Sequence, residues 1–185
     1  MSESLLNPVV GNVEKMLTEL AAGDGAAVNY RLPIGDNRVG MNALIGEKLQ
    51  LRHLGEINCI YCGRKTKKSF SQGYCYPCFR DLARCDTCIM SPEKCHYAEG
   101  TCREPEWADQ YCMTDHFVYL ANSSGVKVGI TRGNQIPIRW MDQGAIQALP
   151  IFRVANRLQS GLLETVFKRH VCLLYTSPSP RDDIS

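Results

Sequence analysis

The chain has 185 residues, of which 44% are hydrophobic and 22% are charged, and its formal net charge is +2. These values are typical of a soluble globular protein with one large or two small domains, and they indicate no particular partner. No run of 18 apolar residues is present, which excludes a membrane-spanning helix. Met1-Ser-Glu-Ser4 has no basic segment leading into an apolar one, so we expect no export and a cytoplasmic location.

Residues 1–57 contain two different hydrophobic patterns. Helical spacing over residues 1–24 predicts an amphipathic helix, with apolar positions at Val9, Val13, Met16, Leu17 and Leu20. From Ala27 the pattern alternates, with a turn at Gly35-Asp36-Asn37 and a further alternating stretch over residues 49–54. We therefore predict an N-terminal helix followed by a small antiparallel sheet.

Nine of the ten cysteines lie between Cys59 and Cys112, and the first four form two CxxC pairs. The pairs are Cys59-Ile-Tyr-Cys62 and Cys75-Tyr-Pro-Cys78, and twelve residues separate them. This is the spacing of a zinc ribbon, in which four thiolates surround one ion at about 2.3 Å. The pattern predicts a structural zinc site.

A second group of cysteines begins at Cys85-Asp-Thr-Cys88 and predicts a second zinc site in the same block, residues 58–115. Cys95 and Cys102 are the favoured remaining ligands. The alternatives left open at this site are Cys112, His96 and His116. A disulfide interpretation would need an oxidising compartment, for which the sequence carries no signal.

Charge is distributed unevenly along the chain. Lys and Arg number 6 against 1 acidic residue in residues 63–84, and 7 against 2 in residues 117–171, whereas residues 86–115 carry 2 against 7. The two basic segments are candidates for contact with phosphate. The candidate nucleic-acid contacts are Arg64, Lys65, Lys67, Lys68, Arg132 and Arg157.

Residues 116–171 have the pattern of a small α+β domain. Strands are predicted around Phe117–Ala121 and Val126–Thr131, with a turn between them. A helix is predicted from about Pro137 to Gly144, and another from about residue 156 to 170. On the last helix Leu158, Leu162 and Val166 form an apolar stripe. Residues 172–185, with their Ser-Pro repeats, resemble translated adaptor sequence, and we expect this tail to be foreign to the fold.

The motifs of this last segment resemble the GIY-YIG nuclease superfamily. Tyr119 matches the Tyr of the first motif, Gly129 the Gly of the second, Arg139 the helical Arg, and Glu164 the metal-binding Glu, while Lys127 replaces the second Tyr. The resemblance implies a compact α/β sandwich and Mg²⁺-dependent phosphodiester cleavage.

Each of these residues has a role in such chemistry. Glu164 would hold Mg²⁺ together with substrate phosphate, since a single carboxylate binds that ion weakly. Arg139 would stabilise charge on the non-bridging oxygens, and Tyr119 would position water. Lys127 would contact phosphate, or act as a base if burial lowered its pKa.

Over about 110 residues from Cys59 to Val171, the chain also resembles a bacterial family known as domain of unknown function 2797. The resemblance is carried by Lys127-Val-Gly-Ile-Thr-Arg132, by residues 138–145, and by Gly161-Leu-Leu-Glu164. The overall prediction is an α+β protein with a β-rich N-terminal segment, a double zinc block and a GIY-YIG-like domain that binds nucleic acid. The rival interpretation is a zinc-scaffolded module whose acidic segment binds a protein partner.

Overall fold

The computed structural model describes residues 8–21 and 27–173, which divide into two compact units. The first unit ends at Cys75 and the second begins at Tyr76, so the boundary falls inside the second CxxC pair. The division predicted from composition, into residues 1–57, 58–115 and 116–171, stays a prediction. Most of the predicted foreign tail, residues 174–185, lies outside the described residues.

The first unit contains a three-stranded antiparallel sheet in the order β1-β2-β3. Its strands are β1 (Leu17–Leu20), β2 (Val28–Ile34) and β3 (Asn37–Gly40). Ile34 pairs with Asn37 across a two-residue turn in which Gly35 has a φ of 57°. A positive φ is easily adopted by glycine, and the predicted turn is confirmed.

Two other predictions for this unit are wrong. A helix was predicted over residues 1–24, of which 1–7 and 22–24 lie outside the described residues; residues 8–21 form no helix, and Leu17–Leu20 is a strand that pairs with β2. Val9, Val13, Leu17 and Leu20 are all exposed, so no buried apolar face supports a helix there. The alternating stretch over residues 49–54 forms no strand because it has no neighbour to pair with, and its leucines are exposed.

The second unit contains a four-stranded sheet in the order β6-β4-β5-β7. Its strands are β4 (His116–Asn122), β5 (Val126–Arg132), β6 (Gln147–Val154) and β7 (Cys172–Leu173). The β4–β5 and β4–β6 pairs are antiparallel and the short β5–β7 pair is parallel. The predicted β4–β5 hairpin is confirmed, and β7 extends the sheet two residues past the predicted end of the domain.

The α-helices of the described chain all lie in the second unit and are short. They are α1 (Tyr76–Asp81), α2 (Thr87–Met90), α3 (Pro105–Tyr111), α4 (Ile138–Asp142) and α5 (Arg157–Phe167). Asn156 caps α5 by accepting a hydrogen bond from the Gln159 N–H, as its position before the helix predicts. None of the described helices is long and apolar enough to span a bilayer.

The core of the second unit is built on the central strand β4. Val118 and Tyr119 are completely buried, as is Val128 on β5. Helix α5 presents Ser160 and Gly161 inward, and a Cβ at Gly161 would lie 2.5 Å from that of Pro92. The predicted apolar stripe of Leu158, Leu162 and Val166 is not the face by which α5 packs, because Leu162 and Val166 remain about half exposed.

The observed α+β class, with two small sheets, agrees with the prediction. Strand β6 was missed because Pro150 interrupts its pattern, and proline is tolerated in sheets only at edges and bulges. Both conditions hold here, since β6 is an edge strand and its register with β4 shifts where Tyr119 faces Pro150. The GIY-YIG-like sandwich stays a prediction.

Candidate functional site

The first cysteine quartet converges as its spacing predicts. The Sγ atoms of Cys59, Cys62, Cys75 and Cys78 all lie within 4.8 Å of one another. The Cys62 and Cys75 sulfurs are 3.7 Å apart, which matches the edge of about 3.8 Å in a tetrahedron with zinc–sulfur distances of about 2.3 Å. A disulfide needs about 2.05 Å, so the arrangement fits a metal ion and not a covalent bond.

Backbone hydrogen bonds fold the two CxxC segments. The Cys59 N–H donates to the Arg64 carbonyl at 2.9 Å, and the Gly63 N–H donates to the Cys59 carbonyl at 2.9 Å. The Ile60 N–H donates to the carbonyl of Gly73, whose φ of 142° and contact with the Ile60 side chain leave no room for a Cβ. Local turns therefore place the thiols together without a large apolar core. We call residues 57–78 the zinc knuckle.

The knuckle favours thiolate at Cys59, one of its two buried ligands. Burial by itself raises the pKa of Cys59, but hydrogen bonds from the backbone N–H groups of Cys62, Cys75 and Tyr61 and from the Cys62 side chain outweigh it. The resulting pKa is about 6. Thiolate is the form that binds metal, so the donor set suits zinc at neutral pH.

The predicted phosphate contacts Arg64, Lys65, Lys67 and Lys68 are all exposed on the knuckle. Lys65 pairs with Glu56 at 2.5 Å, and Lys68 lies 5.3 Å from the centre of the Phe70 ring. Within residues 8–21 and 27–173, no carboxylate forms an ion pair with Arg64, Lys67 or Lys68. Three positive charges are thus available to a partner.

The other two predicted phosphate contacts, Arg132 and Arg157, interact with groups of the second unit. The Arg132 guanidinium lies 4.7 Å from the centre of the Tyr111 ring, which stacks on Trp107. Arg157 donates from Nη2 to the Ile89 carbonyl at 2.6 Å. Both side chains are partly buried, so they are poorer candidates for phosphate than the knuckle cations.

The cysteines of the second group form no cluster as close as the first quartet among the residues that the structure describes, and the predicted set of Cys85, Cys88, Cys95 and Cys102 stays a prediction. Cys88, Cys95 and Cys102 line one small cavity, and Cys112 lines it with them, whereas buried Cys85 does not. Asp86, Cys88 and His96 form a closer group, with one ligand atom of each within 4.8 Å of the others.

Asp86 has partners other than a metal. Its carboxylate lies 2.8 Å from Arg103 Nε and 3.5 Å from His96 Nε2, and it accepts a hydrogen bond from the Thr87 hydroxyl. Burial would raise the pKa of Asp86, but the bond from Thr87 and the charge of Arg103 hold it below its usual range. This carboxylate is an ion-pairing group at neutral pH.

Of the predicted catalytic residues, Tyr119 lies deepest. Its side chain is fully buried, its hydroxyl donates to Gln143 Oε1 at 2.6 Å, and its ring lies 6.0 Å from that of Trp140. Lys127 is half-buried and shares the Tyr119 face of the sheet, because Tyr119 pairs with Gly129 and strand side chains alternate. The bond to Tyr119 gives Gln143 a structural role.

Arg139 and Glu164 are brought within electrostatic reach of each other. Burial raises the pKa of Glu164, as does Glu93, while the charges of Arg157, Lys168 and Arg139 oppose that rise. Arg139 is on α4 beside Trp140, so α4 links this pair to Tyr119. Glu164 is thus a partly buried carboxyl that interacts electrostatically with three cations and with Glu93.

Comparison with known proteins gives one assignment. No curated protein and no solved structure matches the chain. The family model described as "Protein of unknown function (DUF2797)" matches residues 46–172, which include the zinc knuckle, the second cysteine group and the β4–β5 hairpin. Because this match covers more than half of the chain, the protein belongs to the DUF2797 family.

Proposed function

We propose that the protein binds nucleic acid through the zinc knuckle, with Arg64, Lys67 and Lys68 contacting backbone phosphates. The observation that carries the proposal is the exposure of these three cations, without carboxylate partners in the described chain, on a loop between two CxxC turns. Metal binding would hold the loop in one conformation, so less conformational entropy is lost when phosphate binds.

The chemistry of the knuckle surface fits a phosphodiester backbone. Residues 57–80 contain no Asp or Glu, so nothing acidic within this stretch repels the backbone. Each phosphate neutralised by Lys or Arg releases condensed counterions and makes binding salt-dependent. The exposed ring of Tyr61 offers a face on which an unpaired base can stack.

The rival proposal, an acidic surface for a protein partner, has less support. Four of the seven acidic residues in 86–115 are used internally: Asp86 pairs with Arg103, Glu104 accepts from the Ala83 N–H, Asp109 from the Tyr97 hydroxyl, and Asp115 pairs with Arg153. These internal partners fix the positions of four of the seven carboxylates, which makes them less available to a protein partner.

A Mg²⁺-dependent phosphodiesterase activity is a second candidate function, favoured by the partly buried Glu164 near Arg139. In this proposal Glu164 binds the ion together with substrate phosphate, and Arg139 and Lys127 stabilise the phosphoryl charge. Tyr119 would support the site through Gln143, since its hydroxyl is already bonded there.

Binding is tested by fluorescence anisotropy with labelled single-stranded DNA, single-stranded RNA and duplex DNA. The triple variant Arg64→Gln/Lys67→Gln/Lys68→Gln should bind about tenfold more weakly or worse. The matched control, Lys48→Gln/Arg52→Gln/Arg169→Gln, removes the same charge from other exposed positions and should bind like wild type. Equal weakening by both triples, or no binding by wild type at low salt, would overturn the proposal.

Cleavage is tested with the same oligonucleotides in Mg²⁺. Product should form with wild type and with the exposed-site control Glu106→Gln, and should be lost with Glu164→Gln. Binding without product from wild type would remove the nuclease candidate and leave the binding proposal standing.

A further inference from the structure

Three side chains of different chemistry converge at the start of helix α2. Asp86 precedes the helix, Cys88 lies in its first turn, and His96 precedes the 3-10 turn Tyr97–Glu99 further along the chain. One ligand atom of each lies within 4.8 Å of the other two. A carboxylate, a thiolate and an imidazole are the three kinds of side chain that bind zinc in proteins.

We propose that Asp86, Cys88 and His96 bind a second zinc ion. The cysteine spacing favoured Cys88 as a ligand and left His96 as an alternative, whereas Asp86 is a ligand that no such spacing predicts. The proposed site is separate from the zinc knuckle, and it does not depend on nucleic-acid binding.

Hydrogen bonds hold the His96 ring with one nitrogen facing Asp86. The Thr101 hydroxyl donates to the His96 carbonyl at 3.3 Å, so its oxygen accepts from His96 Nδ1, which lies 2.7 Å away. The ring proton is then on Nδ1, and Nε2 presents a lone pair. A histidine that binds a metal through one ring nitrogen typically donates from the other in this way.

The distance between His96 and Asp86 matches that between two ligands of one ion. His96 Nε2 lies 3.5 Å from Asp86 Oδ2. An N–H···O hydrogen bond usually spans about 2.7–3.2 Å, whereas two ligands at about 2.1 Å from a tetrahedral zinc ion are about 3.4 Å apart. With the proton on Nδ1, both facing atoms are acceptors, and a cation between them removes their repulsion.

Other side chains orient the Asp86 carboxylate. Arg103 Nε lies 2.8 Å from Oδ2, and the Thr87 hydroxyl donates to Oδ1 at 3.1 Å. Arg103 is itself held in place, because its Nη1 donates to the Phe79 carbonyl at 3.0 Å. A carboxylate oxygen accepts more than one bond, so Oδ2 can accept from Arg103 and also bind an ion. Neighbours of this kind position the ligands of metal sites.

Burial and charge also suit a zinc ion. The Asp86 side chain is 9% exposed and that of His96 is 26% exposed. Zn²⁺ bound by one carboxylate, one thiolate and one neutral imidazole has no net charge, which lowers the cost of burying the group. Water or a cysteine of the same small cavity would supply the fourth donor of the tetrahedron.

The competing interpretation is a direct ion pair between protonated His96 and Asp86. It requires both ring nitrogens of His96 to donate, at an Nε2–Oδ2 distance longer than the usual hydrogen bond. It also gives the Cys88 thiol no part in the group. The two interpretations differ in the number of metal ions that the protein retains.

Native mass spectrometry of the full chain, purified without chelator, counts these ions. Wild type should carry two zinc ions, whereas Cys88→Ser and His96→Gln should each carry one, because the zinc knuckle keeps its own. The matched controls Met90→Ala and His53→Gln replace exposed side chains and should retain two. One ion in wild type, or two ions in either ligand variant, would overturn the proposal.

Chemical modification of wild type keeps the test valid if a variant does not fold. Diethyl pyrocarbonate modifies imidazole nitrogen and iodoacetamide modifies thiols, and peptide mapping locates both products. His96 and Cys88 should be protected while two ions are bound and should become reactive together as a chelator removes the second ion. A rate of His96 modification that does not change on loss of this ion would contradict the proposal.

Discussion

The two cysteine regions of this protein differ in how closely their thiols converge. In the zinc knuckle, short turns bring four ligands together on a segment whose cations face solvent. In the second unit, the cysteines around the cavity come from separate segments, and the neighbouring charges are largely paired with one another. The comparison teaches that CxxC spacing brings thiols together through local turns, whereas cysteines spread over separate segments depend on tertiary packing for their arrangement.

The largest effect should come from Cys59→Ser, which breaks the knuckle and leaves the second cysteine cluster intact. Structural zinc contributes about 10–16 kcal/mol to small zinc domains, which is comparable to the whole stability of a typical domain. We expect residues 57–75 to become sensitive to limited proteolysis while fragments from the second unit persist. The control Ser69→Ala, at an exposed position of the same segment, should keep the wild-type pattern, and unchanged resistance of Cys59→Ser would contradict this account of the knuckle.

We expect an effect of intermediate size when two glycines of the zinc knuckle, Gly63 and Gly73, are each replaced by alanine, and the two costs should differ. Gly73 has a φ of 142°, and a Cβ there would lie 2.7 Å from Ile60 Cγ2, whereas Gly63 has a φ of 70° and open space around it. Alanine at Gly63 should cost about 1–2 kcal/mol, the usual cost of left-handed backbone. Gly73→Ala should cost about 1–3 kcal/mol more, because steric overlap is added to strain.

Competition with a chelator measures this difference as zinc affinity, in which each 1.4 kcal/mol is about tenfold. Equal losses for the two variants would show that the contact of Gly73 with Ile60 does not constrain the knuckle.

The first quartet was predictable because its ligands are local, and CxxC spacing determines how two thiols meet. The arrangement of the second cysteine group was not predictable, because its members lie on separate segments and tertiary packing places them, which no spacing rule reports. The β4–β5 hairpin was likewise visible in alternation and turn residues. The N-terminal helix was wrong because its periodic residues have no surface to pack against, and β6 was hidden by Pro150.

The smallest effect is a pH dependence of stability that arises from Glu164, a partly buried carboxyl of the second unit. Burial raises the pKa of this carboxyl in the folded protein above its unfolded value. Because the folded pKa is the higher one, the contribution of Glu164 to stability is fully present below the unfolded pKa, near 4.3, and is lost as pH rises through the folded pKa. Glu164→Gln should therefore gain Tm relative to wild type as pH increases from about 5 to 8.

Thermal melts of wild type and Glu164→Gln at each pH measure this gain. Any effect of pH on metal binding acts on both proteins and cancels in the difference between their Tm values. The exposed Glu106→Gln should show a Tm difference that does not change with pH. A constant difference for Glu164→Gln as well would argue against its burial.

The central claim, that the zinc knuckle contacts phosphate, is tested most directly by the slope of log K against log salt concentration. Wild type and the Arg64→Gln/Lys67→Gln/Lys68→Gln variant would be compared on one duplex. Each lost phosphate contact reduces the slope by about 0.9, so the account predicts a slope shallower by about 2–3. Identical slopes for the two proteins would contradict it, even if their affinities differed.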